Sequence, residues 1–164
     1  TLSNDLNSFT EALLFTHRGL SGPSSLQLSN YWQVGESFQI NFFPTHDLFT
    51  WLKQKKQSHP KSLLRTLFTE LAAKSVIAEL QQLIWQADSE TAIGQMSDQK
   101  LEKIATQLQN FQVKPSGTEG YRTAEVTLGG VDTDEISSKT MESKKQKGLF
   151  FLGEVLDVDR KSVV

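Results

Sequence analysis

The hydrophobic period of this chain changes twice, and those two changes limit its architecture more than any other feature. The first third has strand character. Glu11 to Thr16 carries a short apolar run, which predicts a buried strand. Gly19, Gly22 and Pro23 then punctuate the chain, and Ser24 to Trp32 reads as a short helix. Pro23 suits its first turn, where a missing N–H costs nothing. Ser37 to Phe43 alternates, with Phe38, Ile40 and Phe42 on one face and Gln39 and Asn41 on the other. That is the pattern of a half-buried strand, ended by Pro44.

The period then becomes helical. Leu48, Phe49, Trp51 and Leu52 open an amphipathic segment that Asp47 or Thr45 can cap. Ser58-His59-Pro60 breaks it. Leu63, Leu64, Leu67, Phe68 and Leu71 predict a second helix, and Val76, Ile77, Leu80, Leu83 and Ile84 a third. Asp88 to Gly94 reads as a loop. Ser97 caps a fourth helix with Leu101, Ile104, Ala105 and Leu108 on one face. Residues 45–110 therefore form a helical subdomain, each helix burying one stripe against the others.

Strand character returns after it. Phe111 to Lys114 predicts a short strand, and Thr123 to Leu128 another that runs into Gly129-Gly130. Gly148 to Gly153 is an apolar run bounded by glycines, as in a strand buried on both faces. Such a strand needs a sheet around it, and this chain supplies few neighbours. The expected class is α+β, with a helical block set between β-rich blocks. The expected boundaries are 1–44 with 111–135 for the β-rich domain, 45–110 for the helical subdomain and 136–164 for a third segment.

Composition removes several functions. The 164 residues include no Cys, so no disulfide scaffold or thiolate-bound metal can form. Seventeen Lys and Arg against nineteen Asp and Glu give no bulk positive field, which argues against a nucleic-acid partner. No apolar run approaches the roughly 18 residues needed to cross a bilayer. No membrane partner and a cytoplasmic location are the expectations. The sequence begins at Thr1 rather than Met, which either removal of an initiator Met before Thr or a start inside a longer polypeptide would produce.

Individual residues carry modest chemistry. His17, beside Arg18 and before a glycine-rich turn, is the one candidate for a ligand or proton-transfer role. His46 and His59 flank a helix and read as surface residues. No metal site is expected, because neither HExxH nor His-x-His occurs, and Asp132, Asp134, Glu135, Asp157 and Asp159 read as turn residues. Lys53, Lys55, Lys56, Lys61 and Arg65 form one basic stretch and Lys144, Lys145 and Lys147 another; both read as solvated faces. Gly129-Gly130 lets backbone approach a flat ligand, since no Cβ intervenes.

Several segments together resemble a known family. They are Leu14-Phe15-Thr16-His17-Arg18-Gly19-Leu20-Ser21-Gly22-Pro23, Pro115-Ser116-Gly117-Thr118-Glu119, and Ala124-Glu125-Val126-Thr127-Leu128-Gly129-Gly130-Val131. Lys139-Thr140-Met141-Glu142-Ser143 and the run from Gly148 to Asp159 follow. In this order, over about residues 12–159, they resemble the bacterial YhiN-like (BaiN-type) flavoproteins, NAD(P)/FAD-dependent oxidoreductases. The resemblance implies a barrel-like β-rich insert domain carrying the helical subdomain. The last segment would then be an incomplete return to an FAD-binding domain.

By that resemblance, Thr127, Gly129 and Gly130 lie near the flavin, and Gly153 and Glu154 hold the sugar-alcohol or phosphate-linked part of FAD. His17 would face the substrate pocket. The dinucleotide fingerprint GxGxxG is absent, and the match to the family stops after Asp159. The implied function is the substrate-side insert of an FAD- and NAD(P)H-using oxidoreductase, inactive alone. Its partners would be the Rossmann FAD-binding domain of the same polypeptide and a small-molecule substrate. The rival reading is a stand-alone interaction module that self-associates through the apolar strand at 149–152. A phosphate or nucleic-acid binder working through the basic helices is a third.

Overall fold

The computed structural model describes residues 1–120, 122–124 and 129–157. The chain divides into two compact units, Thr1–Gly117 and Thr118–Val164. The class is α+β, as the two changes of period predict.

The first unit is built on a four-stranded antiparallel sheet. Its strands are β1 (Leu2–Ser3), β2 (Ser8–Phe9), β5 (Phe38–Ile40) and β6 (Phe111–Val113), in the order β2-β1-β5-β6. Phe38 and Ile40 point inward and Gln39 outward, the alternation expected of this segment. β1 and β2 are absent from the sequence reading, because two residues show no period. Their turn is instead made by Asn4, whose Oδ1 accepts the N–H groups of Leu6 at 3.1 Å and Asn7 at 2.8 Å. The short helix α1 (Pro23–Ser29) begins with proline as predicted. It buries Leu28 against Leu2, Phe9, Phe38 and Ile40.

The predicted buried strand at Glu11–Thr16 is different. Only Leu14–Thr16 (β3) is extended, and it pairs with Gly19–Ser21 (β4) in a separate hairpin. Leu14 and Phe15 remain 57% and 48% exposed. An apolar run marks burial only where a second layer covers it, and the hairpin lies outside the four-stranded sheet.

Between β5 and β6 lies the helical block: α2 (Leu48–Ser58), α3 (Leu64–Phe68), α4 (Lys74–Ile84) and α5 (Asp98–Gln109). Asp47 caps α2 by accepting the Thr50 N–H at 3.1 Å, and Ser97 caps α5 by accepting that of Lys100 at 3.2 Å. The predicted second helix is only five residues long. After Phe68 the chain tightens into i→i+3 bonds, Glu70 N–H to Leu67 O and Leu71 N–H to Phe68 O. The predicted loop at 88–94 contains parts of two single 3₁₀ turns, Gln86–Asp88 and Ile93–Gln95, the second burying Ile93.

The centre of this block is Phe68, fully buried. Its ring lies 5.7 Å from Phe43, 5.6 Å from Trp51 and 5.3 Å from Trp85, centroid to centroid. Leu48 and Leu52 of α2, Ile77 and Leu80 of α4, and Leu101, Ile104 and Leu108 of α5 close around the rings.

The second unit is loosely built among its described residues. A parallel bridge joins Val131 to Leu156, and antiparallel bridges join Ile136 to Ser143 and Glu142 to Phe150. Ile136 is its only buried apolar residue among those described. The run from Gly148 to Gly153, predicted as a strand buried on both faces, is not one here. Phe150 makes a single bridge, and Phe150 and Leu152 are 55% and 71% exposed. No flanking strands among the described residues cover it. The predicted strand at 123–128 lies largely outside the described residues.

Two outcomes follow. Phe68→Ala should cost about 3–5 kcal/mol in urea unfolding, whereas Leu83→Ala, at an exposed position, should stay within about 0.5 kcal/mol. The hydrogen bonds from Thr50 hold the Asp47 carboxyl below its usual range. The folded-state pKa is depressed, so the cap contributes above the ordinary carboxylate pKa of about 4 and is lost as pH falls through the lower folded value. Asp47→Ala should therefore flatten the acid limb of a stability–pH curve.

Candidate functional site

Two groups of predicted site residues are described, one in each unit. The first is the tip of the β3–β4 hairpin. Thr16 and Gly19 pair across a loop of His17 and Arg18. The Thr16 hydroxyl clasps this loop. It accepts the N–H groups of Arg18 at 3.2 Å and Gly19 at 3.1 Å and donates to the Gly19 carbonyl at 3.0 Å. Phe15 stacks on Phe42 at 6.1 Å, tying the hairpin to the rest of the unit. His17 and Arg18 are thus exposed on a braced tip. Gly22 completes the motif. Its φ is +90°, and an added Cβ would sit 2.9 Å from the Ala12 carbonyl oxygen. Only glycine lets the chain pass there into α1. The other two histidines have local partners: His46 Nδ1 lies 3.0 Å from the Thr45 hydroxyl and His59 Nδ1 2.8 Å from that of Ser58.

The second group lies in the second unit. The Val131 N–H donates to the Val155 carbonyl at 2.8 Å, and the Asp157 N–H donates to the Val131 carbonyl at 3.0 Å. This ladder draws Gly130 against the chain at 155–157. A Cβ on Gly130 would sit 2.6 Å from the Val155 oxygen, so the close approach needs glycine. Gly153 has φ +78° and opens a 3₁₀ turn, Gly153–Val155, that presents Glu154 to solvent. The structure therefore brings Gly130 beside the turn that carries Gly153 and Glu154. Gly129 stands next to them, with nothing within 4 Å of where its Cβ would be. Thr127 lies outside the described residues.

This arrangement fits part of a flavin dinucleotide. An exposed carboxylate beside an open glycine edge can accept hydrogen bonds from sugar or ribityl hydroxyls. It cannot cradle a pyrophosphate, because Glu154 is anionic and no helix N-terminus lies among these residues. Among the described residues no three His, Asp or Glu side chains are placed to hold a metal ion. The acidic group at 132–135 is consumed locally: Asp132 caps a 3₁₀ turn and Glu135 pairs with Lys145.

The fold defines a class in which a helical block is inserted between paired strands of an antiparallel sheet. The chain belongs to the HI0933-like protein barrel and H2TH domain family, whose profile matches residues 1–126. That family falls within the YhiN-like flavoprotein superfamily to which the motif order points. The chain is 49% identical over 150 residues to the ribosomal RNA dihydrouridine synthase of Escherichia coli K12. It is 48% identical over 152 residues to the enzyme of the same name from Haemophilus influenzae Rd. Each match covers 92% of this chain but 37% of the relative, so the chain spans little more than a third of their length.

Gly130→Ala should break the two bonds between Val131 and residues 155–157. Hydrogen exchange at the Val131 and Asp157 amides should each accelerate by about fivefold, each lost bond being worth roughly 1 kcal/mol.

Proposed function

We infer that this chain is the insert portion of a flavin-dependent reductase that acts on uridine in ribosomal RNA. The observation that carries the reading is the near-half identity to two ribosomal RNA dihydrouridine synthases across 92% of the chain. When bound, FAD would supply the two-electron hydride chemistry that saturates a pyrimidine C5–C6 bond, with NAD(P)H as the electron source. The remaining length of such a protein would contain the dinucleotide-binding domain. Residues 136–164 would return the chain to it, and residues 1–44 with 111–135 would form the barrel around the helical subdomain at 45–110.

Within this reading the chain's residues have distinct tasks. Glu154 accepts hydrogen bonds from flavin hydroxyls, while Gly129, Gly130 and Gly153 keep Cβ atoms out of the way. Thr127 is assigned to the same edge by resemblance. His17, on its braced hairpin, is the candidate for the substrate pocket, where an imidazole could deliver a proton to carbon. The slightly acidic net charge argues against a nucleic-acid partner, but net charge describes the whole chain and not one face of it. The relatives' substrate therefore takes precedence. No helix of the described residues is long and apolar enough to cross a membrane; a cytoplasmic location belongs to this reading.

The exposed run Leu149, Phe150 and Leu152 favours a second reading, an interaction module that self-associates. In the first reading the rest of the polypeptide covers the same run.

The test uses the full-length protein. With NAD(P)H and ribosomal RNA stripped of protein, it should convert uridine to dihydrouridine, read by mass spectrometry of RNA digests. RNA left unreduced by flavin-loaded protein would remove the reading. Glu154→Ala should weaken flavin retention by about tenfold, the scale of a lost charge-assisted bond, without a change in thermal unfolding. Unchanged flavin content would remove the role given to Glu154.

A further inference from the structure

Charge is segregated along this chain. From Leu48 to Thr69 there are five Lys and Arg and no Asp or Glu. The rest of the chain carries twelve basic against nineteen acidic residues. The slightly negative total therefore conceals one strongly positive segment, which comprises α2, the following loop and α3.

The fold neutralises that segment only in part. Lys55 pairs with Glu70 at 2.5 Å, Lys56 with Asp98 at 2.7 Å and Arg65 with Glu90 at 2.6 Å. Lys53 and Lys61 are exposed and have no ion pair among the described residues. Lys53 rests over the Phe49 ring, 5.3 Å from its centroid. After the hydrogen bond and charge of Lys56, the Lys53 charge helps hold the Asp98 carboxyl below its usual range. Lys53, Lys56 and Gln57 stand at i, i+3 and i+4, so they share one face of α2. With Pro60, Gly94 and Asp98 they line a shallow depression of about 350 Å³.

The loop after α2 is rigidly placed. The Gly94 N–H donates to the Pro60 carbonyl at 2.9 Å, and the Ile93 N–H to the Ser62 carbonyl at 2.8 Å. A Cβ on Gly94 would lie 2.7 Å from that Pro60 oxygen, so the contact excludes any larger residue. Lys61 lies between the two residues so bonded, Pro60 and Ser62. Exposed cations that make no salt bridge among the described residues suit a polyanion.

We propose that the Leu48–Thr69 segment grips ribosomal RNA by its phosphates, with Lys53 and Lys61 as contact residues, a proposal that rests on the ribosomal RNA reading above. Contacts of this kind position the RNA and carry no sequence information. The segment would hold the substrate while recognition of the target uridine is made elsewhere.

The test measures binding of the flavin-loaded, full-length protein to a fluorescein-labelled ribosomal RNA fragment across a salt series. Lys53→Ala/Lys61→Ala should weaken binding by about tenfold or more at moderate salt and make the log–log salt slope shallower by about 1.5. Flavin content should be unchanged. Lys53→Arg/Lys61→Arg should bind like wild type, and Lys74→Ala/Lys139→Ala, which removes two lysines outside the segment, should change neither affinity nor slope by a comparable amount. Wild-type binding with an unaffected Lys53→Ala/Lys61→Ala variant would overturn this proposal and leave the ribosomal RNA reading standing. Equal losses in both alanine pairs would overturn it too, by showing a diffuse field. No binding by wild-type protein would overturn both readings.

Discussion

The pairing of β5 with β6 is the constraint on which the first unit depends. Phe38 faces Val113, Gln39 faces Gln112 and Ile40 faces Phe111. Seventy residues lie between these strands, including all of α2 to α5. Antiparallel partners sit about 5 Å apart, so the helical block must leave close to where it enters. The junction extends past the strands. The Phe42 N–H donates to the Leu108 carbonyl at 3.2 Å, and Gln109 Nε2 to the His46 carbonyl at 2.9 Å. Phe42 packs against both hydrophobic cores. Closing so long a loop adds little entropy beyond a short one, each doubling costing about 0.6 kcal/mol. A large block can therefore be carried without dismantling the sheet.

This geometry separates tasks. The sheet, α1 and the hairpin are held together by Leu2, Phe9, Leu28, Phe38 and Ile40, while the helical block has its own centre in Phe68. The braced tip with His17 belongs to the sheet side. The positive segment belongs to the helical side. In the proposed reading, one side faces chemistry and the other a polyanion, with the paired strands as the shared support.

What could be read from the sequence depended on the range of the interactions. α2 and α5 were legible because each has a capping side chain, Asp47 or Ser97, followed by an apolar stripe of the right period. β5 was legible from the alternation of Phe38, Gln39 and Ile40. β1 and β2 were not, since two residues carry no period and their pairing rests on the Asn4 turn. The runs at Glu11–Thr16 and Gly148–Gly153 misled for one shared reason: an apolar run records what a segment could bury, not whether a layer arrives to cover it. At the site, Gly130 makes a close approach to its own chain at 155–157 rather than to a ligand, and Gly129 meets nothing within 4 Å. The partner of Gly130, some 25 residues on, could not be found by local pattern. The Thr16 clasp was equally invisible, because a hydroxyl serving three backbone groups leaves no trace in spacing.

The central proposal is that this chain holds one edge of a flavin site whose remainder lies in the rest of a longer polypeptide. A titration of FAD into the 164-residue chain and into the full-length protein tests it most directly, with slow hydrogen exchange at the β5–β6 amides showing that the shorter chain is folded. The account predicts saturable, stoichiometric binding by the full-length protein and none by the folded shorter chain. Saturable binding by the shorter chain alone would contradict it.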